Sequence, residues 1–242
     1  MWIVFDVDGV LIDTRKSYDM AVKMTAERFL RSLGIEMEIE SRWIAELRSH
    51  GVFANDFDVA EALIILSLHG SLPREIKRIP KGADVNWFRR KYGAAGNPQE
   101  IVKLFNTLYF GEEYSSENSG GLWHFETPLV DTETLIKLDR EFSIGVVTGR
   151  NRVEMRMAER LLGFGFRSAV TRDMYAKPDP CALWHITGGD VGIYIGDSLV
   201  DELLVENYRK SYGEFLYLQV GRDANSTMGA IELARKLLAR ER

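Results

Sequence analysis

The chain has 242 residues, 45% hydrophobic and 28% charged, with 6 Pro and 21 Gly; this excludes the disordered and fibrous classes and suits one elaborated domain or two small ones. Its 31 basic and 36 acidic residues give a formal charge of −5, so no global positive field exists to hold nucleic acid or an anionic membrane, although a local basic pocket for a small anion stays open. No run of about 18 apolar residues reads as a membrane span. The one cysteine, Cys181, cannot close an intramolecular disulfide, and the acidic turn that follows Met1 to Phe5 lacks the basic start of a leader, so a cytoplasmic setting is expected.

In chain order, the apolar run Trp2 to Phe5 reads as a strand buried on both faces. Tyr18 to Leu33 follows with Met20, Val22, Met24, Ala26, Phe29, Leu30 and Leu33 at helical spacing and Gly34 as a stop. Val59 to Leu68 and Gln99 to Phe110 are two further helix candidates, and the polar segment Gly111 to Gly121 reads as an exposed loop. Beyond it lie three more apolar runs, Ile144 to Val147, Val191 to Ile195 and Phe215 to Val220. A helix at Arg152 to Leu162, ended by Gly163, separates the first two of these. The basic tail Arg235 to Arg242 reads as an amphipathic closing helix. Strand and helix alternation predicts an α/β fold with a parallel-sheet core, into which a mainly helical module is inserted after the first strand. The expected division is residues 1–13 and 125–242 for the core and 14–124 for the insertion.

Chemistry gathers at the strand ends. The first strand delivers Asp6-Val7-Asp8-Gly9, the second Thr148-Gly149-Arg150, and the third Gly196-Asp197 with Asp201 four residues on; Lys177-Pro178 lies between the last two. In open α/β sheets ligands bind beyond the carboxyl ends of strands. Singly, an acidic pair reads as a turn, a strand-end hydroxyl as a helix cap and Lys177 as a solvated cation; the ordered combination outweighs those readings. His50, His69, His124 and His185 show no metal-ligand spacing, so no zinc site is expected.

These four motifs, in this order, resemble those of the haloacid dehalogenase (HAD) superfamily of phosphotransferases and hydrolases. The insertion resembles the C1-type helical cap of its subfamily I, and the resemblance implies a Rossmann-like catalytic core. By resemblance, Asp6 is a nucleophile that forms an aspartyl-phosphate, and Asp8 is the general acid and base. Thr148, Gly149 and Lys177 are expected to bind the phosphoryl group. The metal ligands carry over as the Asp6 and Asp197 carboxylates and the Asp8 backbone carbonyl, with Asp201 beside them. Four carboxylates and a phosphate monoester cannot share a site without cations, and oxygen-only ligands suit Mg²⁺. The dehalogenases themselves typically lack an acid at the position of Asp8, so its presence favours phosphoryl transfer.

The segment His50 to Asp58 looks like an Asn-Asp segment of one group of subfamily I, which nominates Asn55 and Asp56, with Arg15, as contacts to the leaving group. Asn55 and Asp56 suit equally the capping of a helix beginning near Asp58. The expected function is a Mg²⁺-dependent phosphatase acting on a small phosphorylated metabolite, without nucleic-acid or membrane partners. A phosphosugar mutase using the same phosphoryl-aspartate is the first alternative, and a non-catalytic binding or regulatory protein on the same scaffold is the second. Composition sets no oligomeric state.

Overall fold

The computed structural model describes residues 1–51, 53, 55–70, 72–111 and 120–239. Strand β1 (Trp2–Phe5) and the two-residue β2 (Ile12–Asp13) come first. Six helices follow: α1 (Arg15–Ser32), α2 (Ser41–His50), α3 (Asp56–Leu68), α4 (Leu72–Glu75), α5 (Val85–Tyr92) and α6 (Pro98–Phe110). The chain continues with β3 (Thr127–Pro128), α7 (Thr132–Glu141), β4 (Ser143–Val147), α8 (Arg152–Leu162) and β5 (Ala169–Val170). It ends with α9 (Cys181–Thr187), β6 (Gly192–Gly196), α10 (Leu199–Ser211), β7 (Leu216–Gln219) and α11 (Thr227–Ala239). Most of the loop expected at Gly111 to Gly121 lies outside the described residues, as do Val52, Ala54 and the end of the basic tail. No described helix is long and apolar enough to cross a membrane.

Two compact units result, Met1–Thr14 with Glu126–Arg242, and Arg15–Phe125. In the first, five parallel strands run in the order β5-β4-β1-β6-β7, which makes the fold α/β with a Rossmann-like core. Strand alternation sends Ile3 and Phe5 of β1 to one face and Val4 to the other. On the first face they join Val146, Ile193 and Ile195 against Leu135 and Leu138 of α7, Met155, Ala158 and Leu162 of α8, and Ala230, Ile231 and Ala234 of α11. On the second face Val4, Val147, Val170 and Tyr194 pack on Ala182, Leu183 and Ile186 of α9 and Leu204, Val205 and Tyr208 of α10. Helices on both faces explain why these strands read as continuous apolar runs.

Helix starts and stops are local. The Asn151 side chain accepts the Val153 and Glu154 N–H groups, the Glu154 side chain accepts the Asn151 N–H in return, and Gly163 ends α8 at φ 60°. In the second unit α3 is buried almost all round, from Val59 to Ser67. Glu61, inside that run, is held by Arg89 of α5 through two bonds of 2.7 and 2.6 Å. The antiparallel pair of β2 and β3 and the short β5 were not expected from the sequence; each strand has only two residues, too few to show a period.

Candidate active site

Register brings the strand ends level. Phe5 pairs with Val146 of β4 and with Ile195 of β6, so Asp6, Thr148 and Asp197 leave three adjacent strands within one residue of the same height. The chain fills one side of β1 with β4 and β5, then crosses to the other with β6 and β7. Asp6 and Asp197 therefore flank the point where strand order reverses, the usual place for a ligand in such a sheet.

After β1 the chain turns tightly, the Val7 carbonyl accepting from the N–H groups of Leu11 and Ile12 at 2.8 and 2.9 Å. Gly9 supplies the left-handed conformation, φ 73°, that this turn requires. The Thr227 hydroxyl donates to the Val10 carbonyl at 2.6 Å and ties the turn to α11.

Asp6 is buried, and its Oδ1 accepts from its neighbour's Val7 N–H at 2.8 Å and lies 2.9 Å from Lys177 Nζ. Lys177 also donates to Asp201 Oδ1 at 2.7 Å. Lys177 is a buried cation between two carboxylates, its side chain only 9% exposed, and not a solvated loop residue. Burial disfavours its charge, but the Asp6 and Asp201 carboxylates outweigh that and raise its pKa. Burial, helped by Asp201 and Asp8 and opposed by Lys177, pushes Asp6 up to about 7. Asp197 goes up to about 6, again through burial first and then the Asp201 charge.

Asp201 is fully buried and heavily engaged. Its Oδ1 accepts from Lys177 and lies 3.1 Å from the Tyr194 hydroxyl, while Oδ2 accepts from Ser198 Oγ at 2.6 Å and from the Ser198 and Asp197 N–H groups at 3.2 and 3.3 Å. Burial and the charges of Asp201 and Asp6 keep the Tyr194 phenol protonated. Asp201 thus shapes the loop after β6 and anchors Lys177. Gln219 of β7 supports the same loop by donating to the Asp197 carbonyl at 3.0 Å.

Thr148 is fully buried, and its Oγ1 accepts the Arg150 N–H at 3.1 Å, which leaves the hydroxyl proton to donate elsewhere. At Gly149 an added Cβ would meet nothing within 4 Å, so the space at that residue is open. Asp8 Oδ1 lies 2.8 Å from Arg150 Nε and 2.7 Å from Nη2. Sequence reasoning missed Arg150, Tyr194 and Glu126, whose Oε2 accepts from Arg150 Nη2 at 2.8 Å. The sole signal for Arg150 was its place directly after the strand-end Thr148-Gly149 pair.

Carboxylate oxygens of Asp6, Asp197 and Asp201 lie within 4.8 Å of one another. An oxygen-only, anionic donor set of this kind fits a hard divalent cation such as Mg²⁺. Because protein donors already engage both Asp201 oxygens, the carboxylates best placed to hold an ion are Asp6 and Asp197.

Arg15, Asn55 and Asp56 belong to the helical unit. Arg15 opens α1, and Asn55 is the N-cap residue of α3, which begins at Asp56, two residues earlier than the sequence suggests. Asn55 makes no side-chain cap bond; it hydrogen-bonds the Asp58 carboxyl instead. Asp56 accepts from Arg48 at 2.6 Å, and Arg48 also binds Asp19.

A solved structure, Phosphatase Tt82 from Thermococcus thioreducens, is 48% identical to this chain, covering 97% of it and 98% of that protein, with a TM-score of 0.89. A HAD-superfamily hydrolase of subfamily IA from Geobacter sulfurreducens is 17% identical over 96% of this chain and 95% of its own, at TM-score 0.55. A predicted phosphoglycolate phosphatase from Haemophilus somnus is 13% identical over 96% of each chain, also at 0.55; these two likenesses show the fold. No protein-family model and no curated protein matches the chain. The chain belongs to the family of that Thermococcus phosphatase, and its fold is that of the haloacid dehalogenase hydrolases, the superfamily its four motifs resemble.

Proposed function

We propose that the chain hydrolyses a small phosphate monoester in a Mg²⁺-dependent reaction through an aspartyl-phosphate on Asp6. The observation that carries this reading is the Asp6 carboxylate at the switch point, one oxygen held by Val7 N–H and Lys177, with Asp8 two residues further on. The phosphatase name of the 48% identical relative supports the same class.

Asp6 Oδ2 attacks phosphorus in line; the new P–O bond forms as the bond to the ester oxygen breaks, and the leaving alcohol takes its proton from Asp8. Water then attacks the acyl-phosphate, Asp8 takes the water's proton, and inorganic phosphate leaves with Asp6 regenerated. Lys177 balances charge on Asp6 and on the phosphoryl oxygens, and the Thr148 hydroxyl donates to one of them. When bound by Asp6, Asp197 and the Asp8 carbonyl, Mg²⁺ supplies the positive charge that lets an anionic ester approach these carboxylates. Arg15, Asn55 and Asp56 are the proposed contacts to the leaving group.

Phosphate release from a broad panel of monoesters, with Mg²⁺ or with excess chelator, is the test. Turnover that needs both the metal and Asp6, and falls to background in Asp6→Asn, is expected; metal-independent turnover, or turnover that survives Asp6→Asn, overturns the reading.

A further inference from the structure

Arg150 is the bulkiest fully buried side chain described, and a buried guanidinium is costly unless it is paired. It lies between two carboxylates. Nε and Nη2 approach one oxygen of Asp8, Oδ1, at 2.8 and 2.7 Å; Nη2 also donates to Glu126 Oε2 at 2.8 Å, and Nη1 to the Glu154 carbonyl in the first turn of α8 at 3.2 Å. The Glu126 side chain is fully buried as well, whereas that of Asp8 is 33% exposed. Because the fork grips Oδ1, the Oδ2 atom of Asp8 has no partner among the described residues. The first turn of α8 and the buried Glu126 fix the guanidinium, and the guanidinium in turn fixes the carboxylate.

We propose that Arg150, braced by Glu126, is a positioning residue that locks the Asp8 side chain with Oδ2 turned to the leaving group. This rests on the phosphatase reading, in which Asp8 protonates the departing alcohol. A bare structural ion pair would matter equally for every substrate. A positioning role matters in proportion to how much the leaving group needs a proton, which is large for an alkyl ester and small for a nitrophenyl ester.

The experiment compares the full-length native protein, Arg150→Lys and the charge-balanced Arg150→Met/Glu126→Gln, each with and without Asp8→Asn, on p-nitrophenyl phosphate and on a simple alkyl phosphate. In the Asp8 background both variants are expected to lose about 100-fold in kcat/KM on the alkyl ester and less than about fivefold in kcat/KM on the nitrophenyl ester, because kcat/KM ends at departure of the alcohol and does not include the water attack that both esters share. In the Asp8→Asn background the Arg150 substitutions should cost nothing further, because the group being positioned is already gone. Equal losses in kcat/KM on the two esters, or losses that add fully to Asp8→Asn, overturn the proposal. Arg150→Lys keeps a cation beside Glu126, so the comparison stands if the double variant does not fold. A native protein that hydrolyses neither ester instead overturns the phosphatase reading itself, before any variant is compared.

Discussion

At the scale of single residues, the site depends on one glycine as much as on its acids. A Cβ added to Gly9 would stand 2.1 Å from Asp197 Oδ2, and the residue holds φ 73°. Gly9→Ala therefore carries about 1–2 kcal/mol of left-handed strain and also displaces the Asp197 carboxylate. The expected result is a folded protein whose Mg²⁺ requirement for phosphate release rises about 10- to 100-fold, because a ligand has lost its seat. An unchanged Mg²⁺ titration would show that Asp197 holds no ion. At this scale the sequence nominates Asp6, Asp8, Thr148, Lys177, Asp197 and Asp201, since each stands at a strand end or in a motif of fixed order, and the structure sets Asp6, Asp197, Asp201 and Lys177 side by side. It hid Arg150 and Glu126 because charged residues are exposed by default, and only the fold shows a buried guanidinium spanning a carboxylate 142 positions earlier in the chain. Tyr194 was hidden for the opposite reason: inside an apolar run a tyrosine reads as core, and its hydroxyl beside Asp201 leaves no trace in the pattern.

At the scale of elements, length and burial decided what could be read. Strands β1, β4 and β6, largely buried on both faces, and the partly exposed edge strand β7 gave clear apolar runs, whereas β2, β3 and β5 have two residues each. Helix α8, with polar and apolar faces and a glycine stop, was legible from end to end. Helix α5 was not, since its eight residues include three consecutive basic ones, Arg89, Arg90 and Lys91. One of those three closes the helical unit. Glu61 is 2% exposed within the apolar α3, and Arg89 meets it in a two-bond fork. Removing one partner of such a pair leaves a charge without compensation, whereas replacing both with apolar groups is often neutral. Arg89→Ala should therefore destabilise the chain by about 3 kcal/mol, and Glu61→Leu/Arg89→Leu should recover most of that loss. Chemical denaturation of both variants measures this. A double variant as unstable as Arg89→Ala would mean that the helices need the ion pair itself and not merely charge balance.

At the scale of the whole molecule, a net charge of −5 understates how unevenly charge is distributed: Asp6, Asp197 and Asp201 crowd a single strand-end site with Lys177 as their shared cation. Proton and metal binding there must be linked to stability. Asp6 is raised from 3.8 to about 7 and Asp197 from 3.8 to about 6, so between about pH 4 and 7 the native protein holds protons that the unfolded chain has released. In that window unfolding releases protons, and the contribution of these two groups, complete below about pH 4, is lost as pH rises toward 7. A divalent cation binds only the ionised carboxylates, so it competes with the same protons and stabilises the native state according to its affinity at each pH. Thermal unfolding of the chelated protein, repeated with excess Mg²⁺ at pH 5 and pH 8, should give a larger metal-dependent rise in Tm at pH 8, where no proton has to leave. A rise as large at pH 5 would mean that the metal does not bind through Asp6 and Asp197, and would move the cation site away from the switch point of the sheet.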